Sequence, residues 1–211
     1  IAQTPRDVLI KNFGLPADVF EKFPKKEVYM ALGTPPGRRS LAEGDKLVTP
    51  ARSHKFRLRA QEGRVYSGGT VKMATIDNFP ASDVMAGALM TLSPGALREM
   101  HWHPNANEWG YVLSGTVSIT LFAADAGSTT QKVKAGGVFY IPMGCGHYLE
   151  NVGKDEVEML LVFDNGVYEE ISISEWIADT PVDVAATVFG VPEKTIKEFP
   201  ESEVFISGGK G

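Results

Sequence analysis

The sequence holds one cysteine, Cys145, and four histidines in 211 residues. A single thiol excludes an internal disulfide, so packing rather than cross-linking must hold the fold. There is no Asn-x-Ser/Thr sequon, so nothing argues for a glycosylated surface. No apolar run approaches the ~20 residues of a membrane-spanning helix, and the sequence opens on no signal-peptide pattern. Basic excess is missing too. A net charge of −5 and a pI near 5.4 provide no electrostatic footprint for nucleic acid or an anionic membrane. The basic spots "PGRR" (36–39) and "KFRLR" (55–59) read as solvated loop and strand charges. With 43% hydrophobic and 22% charged residues, what remains is a soluble globular chain. Its compartment stays open between cytoplasm and export.

What is present begins with a repeat. Residues 2–33, "AQTPRDVLIKNFGLPADVFEKFPKKEVYMALG", align without a gap on residues 178–209, "ADTPVDVAATVFGVPEKTIKEFPESEVFISGG". Thr-Pro, Asp-Val, Phe-Gly, Pro, Phe-Pro, Glu-Val and the final Gly coincide. Both copies carry helix punctuation. Thr4 and Thr180 suit a cap, Pro5 and Pro181 the first helical turn, and Gly14 and Gly190 the stop. Pro16 and Pro192 open a second short helix, ended by Pro24 and Pro200. The expected organisation is a helical hairpin at 1–33, a Pro-, Gly- and Arg-rich connecting loop at 34–53, a β-rich domain at 54–177 and a second hairpin at 178–211. The second copy follows the end of the β-rich domain, and Ile1 stands where Ile177 stands before it. The expectation is that a related β-domain preceded residue 1 and that the chain is the carboxy-terminal half of a duplicated protein.

Between the hairpins run short apolar or alternating stretches such as "VMAGALMTL" (84–92), "TVSITLFA" (116–123) and "VEMLLVF" (157–163). Gly-containing turns separate them at 93–95, 114–115, 136–137 and 165–166. Many short strands with glycine punctuation predict an all-β antiparallel sandwich or barrel.

Three of the four histidines bear on one candidate site. In "HWHPNANEW" (101–109), His101 and His103 project to one face of a strand while Trp102 projects to the other. Strict alternation turns Glu108 away from them, and Pro104-Asn105-Ala106-Asn107 supplies an interruption that could bring it back. His147 follows "PMGCG", a turn that allows close backbone approach. Three imidazoles and a carboxylate make a mixed nitrogen and oxygen donor set. Taken alone, a His-x-His pair is equally a satisfied pair in a core.

The full spacing narrows this. "GALREMHWHPNANEWGYVLSG" (95–115) fits Gly-x5-His-x-His-x4-Glu-x6-Gly, and "GGVFYIPMGCGHYLEN" (136–151) fits Gly-x5-Pro-x-Gly-x2-His-x3-Asn. These patterns resemble the paired motifs of the cupin superfamily. The resemblance implies a double-stranded β-helix, or jelly-roll, barrel with its metal inside, flanked here by short helical hairpins. Within cupins, "REMHWHPNANEW" and "GHYLENVG" are similar to the second barrel of the bicupin oxalate decarboxylases. That resemblance implies His101, His103, Glu108 and His147 as metal ligands and Mn(II) as the metal. Spacing alone does not choose manganese, because Fe, Zn, Cu and Ni also accept imidazole and manganese binds weakest in the series.

The same resemblance implies a small carboxylate such as oxalate as substrate, split to formate and CO2, with Arg98 holding its carboxylate. Simple alternation puts Arg98 opposite His101, so that role needs a bulge between them. The family's acid is a glutamate on a lid or on the strand after the last histidine. Here the strand position is Leu161, which transfers no proton. The lid region reads "DNGVYEEIS" (164–172), making Glu170 the nearest counterpart and Glu169 the next. An oxalate oxidase with the same ligands and a non-catalytic, metal-stabilised barrel are the alternatives. Cys145 reads as a small residue beside the site, and Trp102, Trp109 and Trp176 read as packing residues. Exposed Val and Phe side chains on the hairpins would cost about 1.5–3 kcal/mol each in water. A homo-oligomer is therefore expected, with trimers and hexamers implied by the resemblance.

Overall fold

The computed structural model describes residues 2–33, 53–124 and 127–209. Most of the segment read as a connecting loop, and with it "PGRR", lies outside the described residues. The chain divides after Leu47 into two compact units.

In the first unit, α1 (Arg6–Phe13) and α2 (Ala17–Glu21) form the expected hairpin. α1 stops at Gly14, whose φ of 63° lies in the left-handed region that glycine enters without a Cβ penalty. Leu9 and Phe20 are buried, whereas Val8 and Phe13 are 46% and 52% exposed.

Among the described residues, the second unit holds twelve strands. They are β1 (Arg64–Tyr66), β2 (Gly69–Ala74), β3 (Ala86–Leu92), β4 (Leu97–Trp102), β5 (Glu108–Ser114) and β6 (Thr116–Phe122). They continue as β7 (Ser128–Lys134), β8 (Val138–Ile141), β9 (His147–Asn151), β10 (Val157–Phe163), β11 (Ile171–Ser172) and β12 (Ile206–Ser207). One antiparallel sheet runs β1-β2-β3-β10-β5-β8, the other β11-β4-β9-β6-β7, and β12 pairs with β4. Two facing antiparallel sheets with this order are a jelly-roll, as the resemblance of the two motifs implies. Alternation is strict where both faces are defined: along β10 every second residue from Val157 to Phe163 is buried. Met90, Leu92, Val112, Ile119, Leu149 and Met159 fill the space between the sheets.

The second hairpin reproduces the first. After α3 (Ile173–Asp179) come α4 (Val182–Phe189) and α5 (Glu193–Ile196), with Gly190 at φ 66° matching Gly14. Ala185 and Ile196 are buried at the positions of Leu9 and Phe20, and Val184 and Phe189 are exposed like Val8 and Phe13. The capping expectation needs correction. Pro5 and Pro181 themselves occupy the cap positions in extended backbone, and neither helix has a side-chain cap bond. Proline disfavours helical backbone in the residue before it. Thr180 serves the preceding helix instead, its hydroxyl donating to the Trp176 carbonyl at 2.6 Å.

Candidate metal centre

β4 carries the site, and its irregularity decides what the site contains. Arg98 pairs with Leu149 of β9, but His101 pairs with His147. Glu99 and Met100 thus stand opposite a single partner residue, a bulge that turns Arg98 and His101 to the same side. Alternation alone would leave Arg98 a strand charge in solvent; it is 1% exposed.

The chain then leaves β4, and Pro104–Asn107 carry it to the other sheet, where Glu108 opens β5. Asn107 pins this crossing. Its backbone N–H and side-chain NH2 each donate to Asp164 at 2.7 Å, and its side-chain oxygen Oδ1 accepts from Tyr140 Oη and the Met143 N–H. His147 begins β9 after Gly144, whose φ is 76°. The structure therefore brings together the four side chains that the motif spacing selected. His101, His103, Glu108 and His147 are all buried, with one ligand atom from each within 4.8 Å of the others. Cys145 contributes no sulfur to this cluster; the exposed His54 and Glu169 stand outside it.

Backbone carbonyls orient all three rings. His101 Nδ1 donates to Glu99 O at 2.7 Å, His103 Nδ1 to Glu169 O at 2.8 Å, and His147 Nδ1 to Cys145 O at 3.0 Å. With the proton held on Nδ1, each Nε2 lone pair is free. Those of His103 and His147 lie 3.1 and 3.4 Å from Glu108 Oε2. Glu108 Oε1 and His147 Nε2 have no hydrogen-bond partner despite complete burial. Lone pairs facing a carboxylate in a closed space call for a cation between them. The donor set suits a first-row divalent metal. Burial, aided by Arg98 and the neighbouring imidazoles, holds His101 well below the usual imidazole range. Burial alone would raise Glu108, but the His103 and His147 rings, wherever they carry a proton on the nitrogen facing it, outweigh this and lower it to about 2.

Arg98 lines the same small cavity, of about 10 Å³, as His101, His103 and Glu108. Its guanidinium is ion-paired with Glu170, donates to the Phe205 carbonyl at 3.1 Å and lies 3.7 Å from the centroid of the Phe205 ring. Glu170 is 9% exposed as a side chain and also accepts from Tyr168 Oη at 2.6 Å. It is therefore no solvated loop charge. Burial pushes the Tyr168 hydroxyl up from its ordinary value, so it remains a donor. Leu161 is 3% exposed and forms part of the cavity wall. Tyr168 and Phe205 have no signal in the motifs. Trp102 and Trp176 pack edge to face at 5.3 Å, while Trp109 is 43% exposed.

A jelly-roll closed around three imidazoles and one carboxylate defines a cupin barrel whose cluster could hold a metal ion. Residues 56–197 match the Cupin family, and the chain belongs to it. It is homologous to oxalate decarboxylases. It is 38% identical to the Bacillus subtilis oxalate decarboxylase over 183 residues, covering 86% of this chain and 47% of that one. It is 35% identical to an oxalate decarboxylase of Arthroderma benhamiae over 210 residues, covering 98% and 49%. A wheat oxalate oxidase, GF-2.8, is 29% identical over 104 residues, covering 47% and 46%. The chain thus spans about half the length of the curated relatives it matches. The Bacillus subtilis enzyme's structure at pH 4.6 superposes with a TM-score of 0.85 at 33% identity, covering 99% of this chain and 55% of that one. Another structure of that enzyme, with the same TM-score, concerns its Mn(II) centres.

Proposed function

We propose that the chain is a manganese-binding cupin that cleaves a small dicarboxylate such as oxalate to formate and CO2. The observation that carries this reading is the shared cavity: a buried arginine stands on the same side of β4 as the buried metal-binding cluster. His101, His103, Glu108 and His147 would hold the ion. Once bound, it would supply Lewis acidity and one-electron chemistry.

The chain's own residues do the rest. Arg98 pairs with the remote carboxylate of the substrate, which replaces Glu170 in the ion pair. Leu161, Phe163 and Phe205 line the cavity with apolar surface and exclude water from the reacting bond. Oxalate dianion and one proton balance one formate and one CO2 with no net oxidation. That proton needs a donor. Glu170, displaced from Arg98 but still beside Tyr168, is the carboxyl group that can hold it.

A second reading, a barrel in which the metal only holds the fold, draws on Leu161, an apolar side chain in the cavity wall, and on the existing Arg98–Glu170 pair. Quantifying formate, CO2 and peroxide from the Mn-loaded chain, with metal content measured in parallel, separates the readings. Formate with CO2 supports the decarboxylase. Peroxide with two CO2 per oxalate supports an oxidase, and a metal-loaded chain that leaves oxalate intact supports the structural role. The exposed Val8, Phe13, Val184 and Phe189 favour association of chains through the hairpins, in trimers or hexamers.

A further inference from the structure

Two stretches that belong to no helix or strand meet beside the metal centre. Residues 103–107 cross from β4 to β5, and residues 164–170 lead from β10 to β11. The first begins with His103 and ends against Glu108. The second carries Tyr168 and Glu170, both partners of Arg98.

The contacts between them run antiparallel, in three rungs. At the outer rung Asp164 accepts from the backbone N–H and the side-chain NH2 of Asn107, both at 2.7 Å, and its own N–H donates to the Asn107 carbonyl at 3.4 Å. At the middle rung the Asn105 side chain donates to Val167 O at 3.0 Å, and that of Asn165 donates to Asn105 O at 3.1 Å. At the inner rung His103 Nδ1 donates to Glu169 O at 2.8 Å.

Only the inner rung touches a ligand ring. The Glu169 carbonyl holds the proton on Nδ1 of His103 and turns Nε2 toward Glu108. That carbonyl stands on a stretch with no strand partner, so its position depends on the rungs before it. The outer rung is the strongest of these, a two-pronged contact to an ionised acceptor. The two bonds from Asn107 hold the Asp164 carboxyl below its usual range, so it accepts at neutral pH. Asp164 is exposed and Asn107 half-buried. Neither fills the core, and packing does not account for the pair.

We propose that Asn107 and Asp164 are positioning residues of the metal centre. Their paired hydrogen bonds hold residues 164–170 against the crossing and thereby set the His103 ring from a distance. This inference rests on the reading of His101, His103, Glu108 and His147 as a metal site, and not on the substrate.

An exchange of the two side chains tests it, with Mn(II) affinity by calorimetry as the readout. Asp164→Asn sets an NH2 group against either the Asn107 NH2 or the backbone N–H. Asn107→Asp sets two carboxylates against each other. The double variant N107D/D164N restores a donor opposite every acceptor, and its aspartate still accepts from Tyr140 and Met143. Each single variant is expected to bind Mn(II) roughly tenfold more weakly, the low end of what losing an outer hydrogen-bond partner costs. The double variant is expected to recover most of that loss.

The two single variants change the local charge in opposite senses. Affinities that move in opposite directions would mean that charge alone acts, and would overturn the proposal. Unchanged affinity in both, or a double variant as weak as the single ones, also overturns it. If a single variant fails to fold, Asn105→Ala replaces it, because it removes only the side-chain bond to Val167. It too is expected to weaken Mn(II) binding, and parent-like affinity overturns the proposal. A parent chain that binds no Mn(II) would instead overturn the metal-site reading, and this inference with it.

Discussion

The Glu170 carboxylate is paired with the guanidinium of Arg98, the residue that lines the cavity together with His101, His103 and Glu108. Any carboxylate that binds Arg98 must therefore exchange with one already in place. Binding strength is the difference between two similar ion pairs, not the full value of one.

That competition is measurable. Glu170→Gln removes the resident charge, and oxalate should bind the Mn-loaded chain more tightly by calorimetry while formate production falls. The variant should also be less stable, because opening a buried ion pair costs about 3–5 kcal/mol. Weaker oxalate binding in a folded variant would mean that Glu170 does not compete.

Arg98→Lys keeps the charge but loses the planar fork. Charged hydrogen bonds contribute about 1.5–3 kcal/mol each, so carboxylate affinity should fall roughly ten- to a hundredfold. Manganese content should stay near the parent value. Parallel losses of metal and oxalate binding would make Arg98 a structural residue only.

His147→Ala deletes one of four converging side chains and leaves Glu108 facing fewer lone pairs. Metal per chain should drop by most of its value in elemental analysis. Unchanged metal content would remove His147 from the ligand set.

Acid should weaken the metal-free chain in two windows. His101 is held well below its ordinary value of 6.5, so below that pH the unfolded chain binds a proton that the folded chain refuses. Stability then falls by about 1.4 kcal/mol per pH unit per proton, down to the folded value. Glu108, depressed from 4.5 to about 2, adds a loss only as pH falls through that lower range. Urea unfolding at pH 7 and pH 5.5 checks the first window, and equal stabilities would contradict it.

Most of the barrel was legible because strand alternation, glycine turns and ligand spacing are local patterns. Gly14 and Gly190 end their helices as the punctuation predicts, and the motif spacing picks out side chains that converge from two sheets. The bulge in β4 was not legible, because two residues opposite one leave no mark on the bulged strand's own sequence. Arg98 could therefore be brought inward only by analogy. Glu170 reads as a surface charge until Arg98 is known to face it. β12 is two residues long and its partner lies more than a hundred positions earlier, so no window along the chain contains both. Thr180 misled because a hydroxyl before Pro fits two neighbouring helices equally well.

The bulge also sets an asymmetry in what kinds of genetic change the strand tolerates. Met100 is 45% exposed and belongs to neither the cavity nor the docked strand. Exchanging its side chain should matter little. Deleting the residue would leave Arg98 and the histidine after it two apart and still on one face, but it would close the bulge and swing the Glu99 carboxylate to the opposite face, away from the backbone N–H groups of Val204 and Phe205 that it now accepts from. A single lost codon at the strand's most exposed position would thus spare the arginine's placement and release the carboxy-terminal strand, although no substitution scan of that position would reveal it.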